Sequence, residues 1–401
     1  MNFDLRTHTI LLTVGGSRAY GMATATSDVD VKGVAIPPKT FFHGYLHRFD
    51  QADKATQVEP FTDLLNPEEQ EAVRREKIEG TVFDVRKFIA LATDANPNIL
   101  DVIFCRDEEV RLQTPLGRML RENRGLFISA KAKHTFSGYA HAQLKRIRSH
   151  REWLLHPVDQ EPTREEYGLP ETTLVPADQL GAAEAAVRKK IDSWAVDYGT
   201  LEDAEKINIT NQIARYMTDI EVALRTSRED AEWLAAARHV GLDENFIDLM
   251  HREKRYNSAR VEWKQYQNWK KTRNEARADL EAKYGYDTKH GAHLVRLLRM
   301  GREIMATGKV HVWRGAGDGP NDREELLAIR KGEWDYDRLV AWADAEDAAL
   351  EEAYKTKQYV VPNAPDRNAI NDLCEKMVEQ ALNMATTPKV IVAGTVGTIN
   401  M

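Results

Sequence analysis

The stretch LLTVGGSRAYGMATATSDVDVKGVAIPP, residues 11–38, constrains this chain more than any other. Ile10, Leu11, Leu12 and Val14 make an apolar run broken only by Thr13, which reads as a buried strand over Thr9–Val14. The run stops at Gly15-Gly16-Ser17. A second strand reads from Val29 to Ile36, interrupted by Lys32 and Gly33 and stopped by Pro37-Pro38. A strand ending in glycines, a short connection and a second strand opening on two aspartates point to an α/β sheet with its chemistry at the strand ends.

Glycines after a strand let the backbone come close to an anion, and the helix start that follows offers unpaired amides. Gly16 and Ser17 therefore read as a phosphate grip, with Ser17 adding a hydroxyl. No Gly-Lys-Ser/Thr follows, so this is not a Walker loop, and the dinucleotide pattern G-x-G-x-x-G is absent. Asp28 and Asp30 stand at i and i+2, so both carboxylates leave the same face of the strand. Parallel carboxylates repel unless a cation lies between them. Magnesium is commonly held by one or two carboxylates together with substrate phosphates. A third carboxylate on a neighbouring strand would complete a site for two Mg2+ ions, with Mn2+ as the alternative.

Beyond this stretch, residues 39–76 read as a loop or mobile insertion. Glu79–Phe83 reads as a third strand, with Asp84 as N-cap of a helix over Val85–Ala92. From about residue 115 helical patterns dominate, at roughly 126–154, 181–196, 200–226, 229–240, 258–283, 289–306, 321–330, 335–355 and 366–384. The plan is α/β plus α: a small mixed sheet over residues 1–114 with helices on one side, a larger helical domain over 115–384, and a β-prone tail over 385–401. Net charge is −7, which disfavours a polyanion unless basic residues are grouped. Two cysteines, a polar opening and no apolar run of membrane-span length fit a cytoplasmic protein with reduced thiols and no membrane partner.

Gly16-Ser17 followed by Asp28-Val29-Asp30 resembles the DNA polymerase β-type nucleotidyltransferase superfamily. The longer string GSRAYGMATATSDVDVKGVAIPP is similar to its RNA repair pathway branch, and residues 82–104, 289–312 and 325–334 resemble further segments of that branch. The resemblance implies a palm-like catalytic domain at the N-terminus. It also implies a third acidic ligand, which falls on Glu79, with Asp84 as the nearby competitor. The implied activity moves a nucleoside monophosphate from an NTP to an acceptor hydroxyl and releases pyrophosphate. The acceptor it suggests is an RNA 3′ end such as tRNA. Transfer to a protein side chain or small molecule is the alternative, and a non-catalytic nucleotide- or RNA-binding protein is the third reading.

Other candidates are positional. Arg18 follows the grip and can reach a phosphate; Lys32 shares a face with Asp28 and Asp30. Residues 131–151 carry Lys131, Lys133, Lys145, Arg146, Arg148 and Arg151 without an acid, beside Tyr139. Such a helix can grip a polynucleotide backbone or stack a base, or be a solvated basic face. His290, His293, Arg296 and Arg299 recur at three-residue steps, a stripe that can face nucleotide or simply meet the other domain. Lys133, Tyr139, His293 and Arg296 join Gly16, Ser17 and Arg18 as nucleotide-binding candidates; zinc is disfavoured because H-E-x-x-H is absent. Trp263, Tyr266 and Trp269 read as packing residues.

Overall fold

A computed structural model describes residues 3–24, 27–75, 78–173, 181–183, 185–186, 189–190, 236–273, 275–317 and 319–383. The helix expected at 200–226, most of those at 181–196 and 229–240, and the 385–401 tail lie outside these residues. The chain divides into two compact units, Met1–Leu154 with Glu275–Met401, and Leu155–Asn274.

The first unit is built on a mixed five-stranded sheet. Its strands are β1 (Thr9–Val14), β2 (Asp30–Ala35), β3 (Gln51–Ala52), β4 (Glu79–Asp84) and β5 (Val110–Gln113), in the order β3-β4-β2-β1-β5. β2 and β4 run parallel, with Asp30 opposite Glu79 and Ala35 opposite Asp84. The other pairings are antiparallel. Every residue of β1 is buried, Thr9 and Thr13 included, because the sheet is covered on both faces.

One face carries Ile10, Leu11 and Val34 and packs on Phe88, Leu100, Phe136 and the helix Thr288–Thr307 through Leu294 and Leu298. The opposite face carries Leu12, Val14, Val31 and Val82 and is covered by Phe41, Phe49, Val58, Phe61 and Ala72. Residues 39–76 are therefore no loose insertion, and the sheet does not have helices on one side only. The segment folds as short helices over Thr40–His43, Ala55–Val58, Glu59–Leu64 and Pro67–Arg75, with β3 between them. Its apolar residues close a sheet face that would otherwise meet water.

The helical expectations in this unit hold within two residues at 288–307, 323–330, 336–355 and 367–383. The Thr288–Thr307 helix is capped by Asp287, which accepts from Lys289 N (2.9 Å) and His290 N (3.1 Å), and it stops at Gly308 in the left-handed region. Asp84 caps Val85–Thr93 as expected.

In the second unit Asp243 caps the helix Glu244–Thr272. Arg164 pairs with Glu253, and Tyr266 is buried beside Trp269 (5.7 Å between ring centroids), donating to Asp159 Oδ1 at 3.2 Å. Both cysteines are free thiols. No described helix is long and apolar enough to cross a membrane.

Candidate active site

β1 ends at Val14, and the amide of Gly15 donates to the carbonyl of Asp30 (2.8 Å), so the turn after β1 is tied to the first residue of β2. Gly16 has φ +59°, and a β-carbon there would lie 2.4 Å from Asp30 Oδ2. The Asp30 carboxylate thus rests against the turn. Gly16–Ala19 is a single helical turn, closed by Met22 N donating to Ser17 O (2.8 Å).

Asp30 is half-buried among charges of both signs. Burial raises its pKa first, the charge of Asp28 next, and that of Glu79 adds; Lys32 and Lys289 oppose them. Glu79 is exposed at the start of β4, directly across from Asp30. Asp84 sits at the far end of β4, buried, accepting from Arg86 N (2.8 Å), Nε (3.0 Å) and Nη2 (2.9 Å). Of the two competing acids, Glu79 is the one beside Asp28 and Asp30.

Among the described residues no three His, Cys, Asp or Glu side chains form a ready-made metal cage. The donor set fits a hard cation all the same. Asp28 and Asp30 are oxygen donors two residues apart at the start of β2, burial and then the charge of Asp28 raise the pKa of Asp30, and no described group donates a hydrogen bond to its carboxylate. A cation held by two carboxylates plus phosphate oxygens needs no third protein ligand.

The remaining candidates fall into three groups. Arg18 braces the loop carrying Asp28. It donates through Nε to Asp28 O (3.3 Å), through Nη2 to Ser27 O (3.4 Å) and through Nη1 to Glu68 (3.2 Å). Arg296 is fully buried beneath the grip. Its guanidinium lies 3.6 Å from the Tyr20 ring centroid and 3.8 Å from Asp101 Oδ2, which also accepts from Tyr20 OH at 2.5 Å. His293 lies beside it, Nδ1 3.5 Å from Arg296 Nη2, and burial followed by the Arg296 charge pushes its pKa down to about 2.

Lys133 and Tyr139 have internal partners instead: Lys133 is buried in an ion pair with Glu351, and Tyr139 OH accepts from Asn96 Nδ2 (2.7 Å). Other cations of that helix are matched too. Lys131 pairs with Asp94, Arg148 lies 3.7 Å from Asp344, and Arg151 donates to Gly285 O (2.9 Å). Lys145 and Arg146 stay exposed, and the charge of Arg146 bears on His293. Arg299 pairs with Asp322 and Glu325, and His290 with Asp287.

One feature of the site has no signature in the sequence. Three consecutive carbonyls after the grip are held from the C-terminal region: Tyr20 O by Arg314 N (3.2 Å), Gly21 O by Arg323 Nε, and Met22 O by Arg330 Nη1 (2.9 Å). Arg314 is itself fully buried between Glu303 and Asp322. Trp313 packs flat on Gly21, where a β-carbon would lie 2.7 Å from its ring, and Arg106 covers the ring at 3.5 Å.

No curated protein and no solved structure matches the chain. One family model matches, described as RNA repair pathway DNA polymerase beta family, over residues 4–157. That span contains the Gly16-Ser17 turn, Asp28, Asp30, Glu79 and all five strands. Over these residues the chain is similar to the RNA repair pathway DNA polymerase beta family.

Proposed function

We propose that the protein transfers a nucleoside monophosphate from an NTP to a hydroxyl at an RNA 3′ end, releasing pyrophosphate. The observation that carries this reading is the contact between Asp30 and Gly16 with Glu79 in register across β2 and β4. It supports the reading because the glycine turn lies against one carboxylate and a second stands across from it at the same end of the sheet.

The acceptor oxygen attacks the α-phosphorus, the bond from that phosphorus to the bridging oxygen breaks, and pyrophosphate leaves. Gly16 and Ser17 hold the β- and γ-phosphates through backbone amides and the Ser17 hydroxyl. Asp28 and Asp30 would hold magnesium, which when bound neutralises the phosphates and lowers the pKa of the attacking hydroxyl. Glu79, exposed at the strand end, takes up the hydroxyl proton in this reading. Arg18 keeps Asp28 in place through its loop carbonyls. Lys145 and Arg146, exposed on the Lys131–Leu155 helix, supply cations for an RNA backbone, and the family's RNA repair setting favours that acceptor over a protein or small molecule.

The test is incorporation of each α-labelled NTP into total tRNA and nicked RNA with magnesium, comparing wild type with Asp28→Ala/Asp30→Ala. Label in RNA with the wild type alone is the expected result. Pyrophosphate without labelled RNA would move the acceptor to another class, and neither product with any NTP would overturn the transferase reading.

A further inference from the structure

We propose that Lys32 is a direct ligand of the nucleotide's terminal phosphates, an assignment that rests on the reading of this site as an NTP site. Lys32 lies two residues beyond Asp30 on β2, so their side chains leave the same face, with α-carbons about 7 Å apart. It pairs with Thr13 on β1 and Thr81 on β4, in the middle of the sheet. A lysine so placed can reach the site only by running along the sheet, and it does. Its Cγ, Cδ and Cε lie 3.8, 3.6 and 3.7 Å from where a β-carbon of Gly15 would be. The aliphatic stem therefore runs along the bare backbone of Gly15, next to the Gly16-Ser17 turn, a path that buries its methylenes.

What the ammonium meets there sets it apart from the other cations of the site. Arg296 has Asp101 and the Tyr20 ring, Arg18 has Glu68 and two carbonyls, and Arg314 has Glu303 and Asp322. Lys32 feels the charges of Asp30 and Asp101, yet among the described residues it makes no ion pair or hydrogen bond with either. Asp101 is already shared by Tyr20 and Arg296, and its Oδ1 is buried without a partner. A cation drawn partly out of water without a direct partner is unfavourable until an anion reaches it. A compact ammonium with three donors suits a phosphate's non-bridging oxygens. Its position beside the turn, on the Gly15 side, directs it to the β- and γ-phosphates.

The experiment is calorimetric titration of the full chain with magnesium and inorganic tripolyphosphate, each NTP, and the matching NMP, using wild type, Lys32→Met and Lys32→Arg. Wild type is expected to bind tripolyphosphate. Lys32→Met should weaken tripolyphosphate and NTP by about tenfold or more, which is about 1.4 kcal/mol, and leave NMP within about twofold. Lys32→Arg should recover part of the loss, which a purely structural lysine would not predict. Lys32→Met binding tripolyphosphate as wild type does, while wild type binds NTP, overturns Lys32 alone. Wild type that binds neither tripolyphosphate nor any NTP overturns the nucleotide site and Lys32 with it. Should Lys32→Met fail to fold, the Lys32 resonance of wild type labelled with ε-13C lysine, assigned from Lys32→Arg, decides: it must shift on adding tripolyphosphate, and an unmoved resonance overturns the assignment.

Discussion

Asp30 Oδ2 lies 2.4 Å from the place a β-carbon on Gly16 would take, and Gly16 holds φ +59°. Two separate demands thus fall on one residue: a left-handed backbone and no side chain. Gly16→Ala meets neither. The strain is about 1–3 kcal/mol, and Asp30 must swing away from the turn. Turnover should fall by about 100-fold or more, the scale expected for a displacement of about 1 Å at a reacting centre. Gly15→Ala is the control. Its β-carbon would meet the Lys32 stem at 3.6 Å, an ordinary contact, with φ −108°. It should keep activity within a few-fold. Equal losses in both variants would sink the account of the turn.

Asp30→Asn separates function from stability. Burial and the charges of Asp28 and Glu79 all disfavour the ionised Asp30 in the fold. Removing that charge relieves repulsion, so the variant should melt at the same temperature as wild type or higher. Transferase activity should drop by about 100-fold or more, since charge neutralisation by a bound metal is worth several kcal/mol. Calorimetry and an incorporation assay on the same preparation check both halves. A variant that melts well below wild type would mean that Asp30 is structural.

How much of this was legible beforehand differs element by element. β1, the start of β2 and the cap at Asp84 could be read because an apolar run, glycines and a capping acid are local signals. β5 could not, since Val-Arg-Leu-Gln is four residues with a charge inside, and β3 is only two residues long. The segment 39–76 hid its role because its helices are four to nine residues long and its core residues lack one period. Lys133 looked like a free cation because its partner Glu351 is far along the chain. The hold of Arg323 and Arg330 on Gly21 and Met22 is invisible for the same reason, with the added difficulty that backbone carbonyls carry no residue identity.

His293 predicts an acid-labile fold. Its folded pKa is about 2, against about 6.5 for a free histidine. Between those values the unfolded chain binds a proton that the folded chain refuses. The His293 contribution to stability is therefore complete above about pH 6.5 and declines as pH falls below it, at up to roughly 1.4 kcal/mol per pH unit. His293→Asn should flatten the fall of the melting temperature between pH 6.5 and 4.5. The same steep fall in the variant would show that other groups carry it.

The exposed pair on the Lys131–Leu155 helix gives a test of RNA binding that distinguishes neighbours on one helix. Each lysine or arginine contact to a single-stranded phosphate contributes about 0.7 to the slope of log affinity against log salt. Lys145→Ala/Arg146→Ala should reduce the slope for an RNA oligonucleotide by up to about 1.4 while leaving the melting temperature near wild type, because both side chains are exposed. Lys133→Ala should do the reverse. It leaves Glu351 without its buried partner, so it should lower the melting temperature and leave the salt slope alone. A wild-type affinity that does not change with salt would remove the RNA reading of this helix. A slope that responds to Lys133 and not to Lys145 and Arg146 would place the backbone on the opposite side of the helix.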